Sequence, residues 1–156
     1  MSGTEGEQRS LAIGLIQKLE LGQLFLLLNW NQKQQRWKFV CGQRIENESY
    51  RETITREIAW QLDLDRQKDF IVANVPQLSV ETIEQLPGED REISISVEFY
   101  CIHLYGRTSG EKVDRTSNLS WFSCAEICQG FTHQGETIDP TIVAWLNKWQ
   151  VVQPWR

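Results

Sequence analysis

Between Cys41 and Asp65 the chain sets charged and amide side chains at close intervals behind one glycine. Gly42 is followed after five residues by Glu48, then after seven more by the pair Arg56-Glu57, with Gln61 four residues beyond Glu57. Residues four apart are neighbours on a helix, so Glu57 and Gln61 would share one face. A carboxylate beside a guanidinium is an ion-pair partner, a capping group or a base. Lys38 and Arg44 flank the glycine loop, where they would meet a phosphate or stand as solvated surface cations. Other nucleophilic chemistry has little support: there is no Ser-His-Asp arrangement and no Gly-x4-Gly-Lys phosphate loop. His103 falls in an alternating apolar series and reads as a hydrogen-bonded core residue. His133 lies in a glycine-flanked loop with no partner in the sequence.

These residues need a helix to hold them, and its start is explicit. Ser49 is a good N-cap, and Glu52 three residues on completes a capping box. Tyr50, Ile54, Ile58 and Leu62 follow at steps of four, which gives one apolar stripe. Asp63 and Asp65 end the helix without a glycine stop. Ahead of the loop, Trp37, Phe39 and Cys41 alternate as a short strand leading into Gly42.

The run from Gly42 resembles the box of the Nudix hydrolases, G-x5-E-x7-R-E-U-x-E-E-x-G-U, where U is aliphatic. Gly42, Glu48, Arg56, Glu57, Ile58 and Leu64 match it. Trp60 and Gln61 stand where the family has two glutamates, and Asp63 where it has glycine. A second likeness lies at Trp121 to Ile127, which resembles the family's Trp-hydrophobic-x-x-x-Glu-hydrophobic pattern.

The resemblance implies roles residue by residue. Gly42, Glu48 and Arg56 become the structural part of the box, with Glu48 and Arg56 tying loop to helix. Glu57 becomes the catalytic residue, as metal ligand or base. Gln61 offers a second oxygen to Mg2+ or Mn2+ but lacks the charge that a hard cation prefers. Trp60 supplies no such oxygen; it would plug the site, stack on a base or pack against the neighbouring loop. Glu46 in the loop and Glu98 on the polar face of a long strand are the carboxylates outside the helix that would complete a metal site, or are plain surface groups. The implied function is divalent-metal-dependent hydrolysis of nucleoside diphosphate-linked compounds. Two of the three helix glutamates are replaced, so weak or lost activity is expected. The alternative is a catalytically silent Nudix domain that binds a nucleotide-like ligand or a protein.

Composition bounds the rest. A chain of 156 residues with net charge −5 and a pI near 5.1 suits one globular domain and argues against a general nucleic-acid polymer as partner. It leaves room for a small nucleotide-like phosphate compound, which needs only a few local cations. The N-terminus reads as neither a signal peptide nor a transit helix, and the apolar run Leu24 to Leu28 is too short for a membrane. A cytoplasmic address is the expectation. The four cysteines match no good zinc spacing and read as reduced thiols. Most of the tryptophans read as core and edge packing.

Residues 1–9 read as a loose tail. Strands are expected over 10–20, 24–30, 70–75, 93–105 and 119–123. The continuous apolar run of the second places it centrally. Residues 79–92 read as a short helix plus turn or as a mobile loop, 106–117 as a polar loop and 129–137 as a loop. Asp139-Pro140 opens a final helix with Ile142, Val143, Trp145, Leu146 and Trp149 on its apolar face. Residues 151–156 close the chain. Pattern alone gives one mixed α/β or α+β domain over 10–150; the resemblance sharpens this to a Nudix α/β/α sandwich with a mixed sheet.

Overall fold

Leu11, Ile13 and Leu15 alternate with Ala12, Gly14 and Ile16, so this segment has no polar face to offer water. In the computed structural model, which describes residues 7–85, 88 and 90–153, it forms the middle of β1 (Gln8–Glu20). On one side β1 runs parallel to β7 (Ile93–Leu104). On the other it meets β4 (Val40–Gln43) and then β2 (Gln23–Asn31), both antiparallel. Beyond β2 lie β3 (Arg36–Lys38) and β8 (Leu119–Ser123); beyond β7 lie β5 (Phe70–Val72) and β6 (Leu78–Glu84). The described helices are α1 (Tyr50–Leu62), α2 (Arg107–Arg115), α3 (Cys124–Gln129) and α4 (Pro140–Lys148).

The mixed sheet is buried on both faces. Ile13, Leu15, Phe99 and Trp37 pack on one side with Ile127 of α3 and Trp145 and Leu146 of α4. Ala12, Ile16 and Ile102 pack on the other with Ile54, Ile58 and Leu62 of α1 and Val113 of α2. The fold class is therefore the expected mixed α/β one, with helices on each face. Among the described residues no helix is long and apolar enough to cross a membrane.

Several segments differ from their sequence reading. Of the expected tails, residues 1–6 and 154–156 lie outside the described residues, and β1 already includes Gln8 and Arg9. Residues 78–84 are neither helix nor loop but a strand paired with β7. Its inward series is Leu78, Val80, Thr82 and Glu84, and its outward series includes Ile83 at 66% exposure, so polarity conceals the alternation. Glu84 is satisfied there by Thr82 Oγ1 at 2.7 Å and Trp145 Nε1 at 3.3 Å. Residues 107–115 form α2, whose buried side chains are Ser109 and Val113 alone; two positions make no apolar stripe. The strand before the box is broken at Phe39, where pairing passes from β2 to β1. The strand expected over 70–75 is shorter, ending at Val72. His103 is exposed rather than in the core, and pairs with Gln17 Nε2 at 3.1 Å. Its neighbour across the strands, Ile71, is itself 56% exposed, so the covering layer on that face has ended while Ile102 stays buried on the other.

Candidate functional site

The chain enters α1 through a tight polar turn. Ser49 Oγ accepts the Glu52 amide at 3.0 Å, and the Glu52 carboxylate accepts the Ser49 amide at 2.8 Å. That box spends Glu52 on capping. At the far end Asp63 adopts a left-handed conformation (φ 54°, ψ 51°) in the place of the expected glycine, a backbone region that aspartate tolerates better than most residues.

Glu48 and Arg56 form the tie between loop and helix. Arg56 Nε donates to Glu48 Oε2 and Nη2 to Oε1, both at 2.9 Å. Thr53 Oγ1 adds a third donor to Glu48 at 2.6 Å. These bonds, the guanidinium first, hold the Glu48 carboxyl down to about 2 against the opposing effect of burial. They raise Arg56 above its ordinary value by the same contact. The folded state therefore prefers ionised Glu48 more than the unfolded chain does. That contribution is complete above the ordinary carboxylate range and is lost as pH falls toward about 2. Allowing for screening at an arginine whose side chain is 35% exposed, it is worth about 2 kcal/mol. Urea midpoints measured between pH 5 and pH 2 should fall through this window, and Glu48→Gln should flatten that part of the profile.

Glu57 lies directly over Gly42. A Cβ built on Gly42 would stand 2.4 Å from Glu57 Cγ and 2.8 Å from Oε2, so only glycine lets the carboxylate rest on β4. Both Glu57 oxygens are occupied by the chain's own donors. Arg56 Nη1 donates to Oε2 at 2.7 Å and Gln61 Nε2 to Oε1 at 2.7 Å. Gln61 Nε2 also reaches the Cys41 carbonyl at 3.2 Å. Both of its partners are acceptors, so the amide nitrogen faces them and the amide oxygen turns away. The expected convergence of two oxygens at positions 57 and 61 is thus replaced by a donor bridging two acceptors.

The other carboxylates do not join Glu57. Glu98 accepts from Tyr100 at 2.7 Å and Ser79 at 2.9 Å, and Glu46 is exposed in the loop. Among the described residues no group of three or more His, Cys, Asp or Glu side chains stands close enough to hold a metal ion. The donor set around Glu57 does not fit Mg2+ or Mn2+, which require several oxygens directed at one point. The four cysteines are free thiols, and burial pushes Cys41 up to about 11, far from a reactive thiolate.

The three residues read as ligand-binding are not brought together. Trp60 is 80% exposed on the outer face of α1, so it neither packs against the loop nor plugs the site. Arg44 caps the turn, donating to the Glu48 carbonyl at 3.0 Å and lying 5.3 Å from the Tyr50 ring centre. Lys38 instead lines a cleft of about 380 Å³ with Arg9, Arg36, Cys41, Asp139 and Trp145. Its ammonium pairs with Asp139 at 2.9 Å. Arg36 Nε is shut off from solvent and has no hydrogen-bond partner among the described residues. Arg36 and Arg9 were not singled out in the sequence. A signal existed, because residues 36 and 38 flank buried Trp37 in a strand and so share one face.

The sequence matches no family model and no curated protein. Solved structures match it in fold. The Ap4A hydrolase of C. elegans is 13% identical, with a TM-score of 0.61 over 91% of this chain and 96% of its own. A Nudix hydrolase from M. smegmatis, RenU, is 14% identical, with a TM-score of 0.58 over 94% of this chain and 86% of its own. A mutT/nudix family protein from Listeria innocua is 18% identical, with a TM-score of 0.53 over 94% and 93%. At such identities the likeness is one of architecture: this chain has the Nudix fold.

Proposed function

We propose that this Nudix-fold chain is a catalytically silent domain that binds a small nucleotide-like phosphate compound. The observation that carries the first half is the closure of Glu57, with Oε2 held by Arg56 and Oε1 by Gln61. A divalent ion there would have to share both oxygens with these donors, and among the described residues no third acidic, histidine or cysteine side chain stands close enough to complete a site. The box then serves as scaffold: Gly42, Glu48 and Arg56 hold the loop to the helix while the chemistry expected of the family is dispensed with.

The binding half rests on the Lys38 cleft. Lys38, Arg36 and Arg9 supply cations at its rim, and Leu11, Ile13 and Trp145 supply an apolar floor. Phosphate oxygens are natural partners for the Lys38 and Arg36 cations that line the cleft, and Trp145 offers an indole edge to a flat base. Asp139 already neutralises Lys38 in part, which suits a ligand of modest charge.

Both halves are tested on one panel of nucleoside diphosphate sugars, dinucleoside polyphosphates and nucleoside triphosphates. No phosphate release above background is expected with Mg2+ or Mn2+. Calorimetric binding of at least one panel member is expected, weakened about tenfold by Lys38→Gln. Metal-dependent turnover that vanishes in Glu57→Gln would replace the silent reading with the hydrolase one.

A further inference from the structure

A cleft of about 580 Å³ lies apart from Lys38 and takes Trp37 from the other face of β3. Its walls include Phe25, Trp37, Trp121 and Phe122, and the carboxylates that line it among the described residues are Glu126 and Glu136. Among the described residues no lysine or arginine lines it, and His133 is its one basic side chain. Glu126 is used up by the α3 cap, accepting from the Ser123 amide, the Ser123 hydroxyl and the His133 amide. Glu136 is held through one oxygen, which accepts Trp37 Nε1–H at 3.0 Å. Its second oxygen has no partner among the described residues. The aromatic faces and the one unpaired oxygen of Glu136 together favour a cation over a phosphate.

The same cleft runs along an open strand edge. Trp30 N donates to Asn118 O at 2.8 Å, which makes residues 118, 120 and 122 the ones bonded to β2. Residues 119, 121 and 123 therefore turn their amides and carbonyls outward. The Leu119 amide is taken by Thr116 and the Ser123 amide by Glu126. The Trp121 amide and carbonyl have no partner among the described residues, and β8 pairs with β2 alone. Asp114 lies near, accepting Trp121 Nε1–H at 3.4 Å. The Lys18 ammonium stands 4.7 Å from the Trp121 ring centre and 6.0 Å from that of Phe25, and pairs with Glu20 at 3.1 Å, so the open place for a further cation is beside Trp37 and Glu136.

We infer that this edge binds an extended peptide segment carrying an arginine or lysine side chain. The segment pairs with the Trp121 amide and carbonyl and places its cation between the aromatic walls at the free oxygen of Glu136. Strand addition supplies the backbone bonds, and the cleft supplies the choice of side chain.

The test uses the full chain and three probes: a capped pentapeptide with a central arginine between valines, the same peptide with citrulline, and free agmatine. Binding is read from the indole N–H resonances of Trp37 and Trp121. The arginine peptide is expected to shift both saturably. Citrulline should bind about tenfold more weakly, since it loses a charge-assisted bond. Glu136→Gln keeps an acceptor for Trp37 and should weaken the arginine peptide about tenfold while leaving the citrulline peptide unchanged. Equal binding of the arginine and citrulline peptides would overturn the inference, and their comparison needs no protein variant. Agmatine binding as tightly as the peptide would remove the strand edge from the site and overturn it too. So would the absence of saturation by about 1 mM peptide.

Discussion

Arg56→Met should unfold about 3 kcal/mol more readily than the unaltered chain. Arg56 is the one cation shared by Glu48 and Glu57, donating twice to the first and once to the second. The two carboxylate side chains are 14% and 16% exposed, so neither regains much water when the guanidinium goes. What remains is a pair of acids, mostly buried and facing the same gap. The cost sits at the lower end for broken buried pairs because Arg56 itself is 35% exposed. Arg56→Lys should recover less than half of it, since a single ammonium does not span both oxygens of Glu48 and one of Glu57 at once. Glu48→Gln combined with Arg56→Met should be milder than the two effects summed, because it removes one of the stranded charges. Urea unfolding followed by tryptophan fluorescence measures all three. A loss below about 1 kcal/mol for Arg56→Met would put the loop-to-helix tie elsewhere.

The parts of this molecule that were legible are those whose signal is local. The Ser49 and Glu52 box, the stripe from Tyr50 to Leu62 and the Asp139-Pro140 start each specify a helix within a few residues, and α1 and α4 follow them. The parts that were not legible are those where another element completes a polar residue. Glu84 reads as surface acid until Trp145 of α4 donates to it, and only then is β6 recognisable as a strand with an inward face. Ser109 sits where a helix would be expected to show an apolar residue, because its hydroxyl is satisfied by the Tyr105 carbonyl at 2.6 Å. His103 misled in the opposite sense: strict alternation continues to the end of β7, but the covering layer does not. In the site, the pairing of Glu48 with Arg56 was legible from the resemblance to the Nudix box. The orientation of Gln61 was not, since it depends on the Cys41 carbonyl of β4, twenty residues away in the chain.

That orientation makes the strongest prediction about the site. Trp60→Glu together with Gln61→Glu should bind Mn2+ with Kd of about 0.1–1 mM, where the unaltered chain binds none. Gln61 now holds Glu57 Oε1 and the Cys41 carbonyl with a single amide nitrogen. A carboxylate at that position has no proton to donate, so the same two acceptors and the new one would face each other with nothing between them. Without metal the double variant should therefore be less stable, by about 1–2 kcal/mol. With Mn2+ it should recover, because three or four oxygens converging on one point are what a hard cation binds. Its melting temperature should rise with Mn2+ concentration as linkage requires, and titration calorimetry should give the matching Kd. Trp60→Glu alone should change little, since Gln61 still bridges the gap and position 60 is solvent-exposed. Gln61→Glu alone should show a weaker form of the same rise. The controls bear on the whole reading of the site. If the unaltered chain already binds Mn2+ and loses it in Glu57→Gln, the Gln61 amide gives way to an ion. The closed carboxylate would then be one state of a working metal site, and the silent reading would not survive.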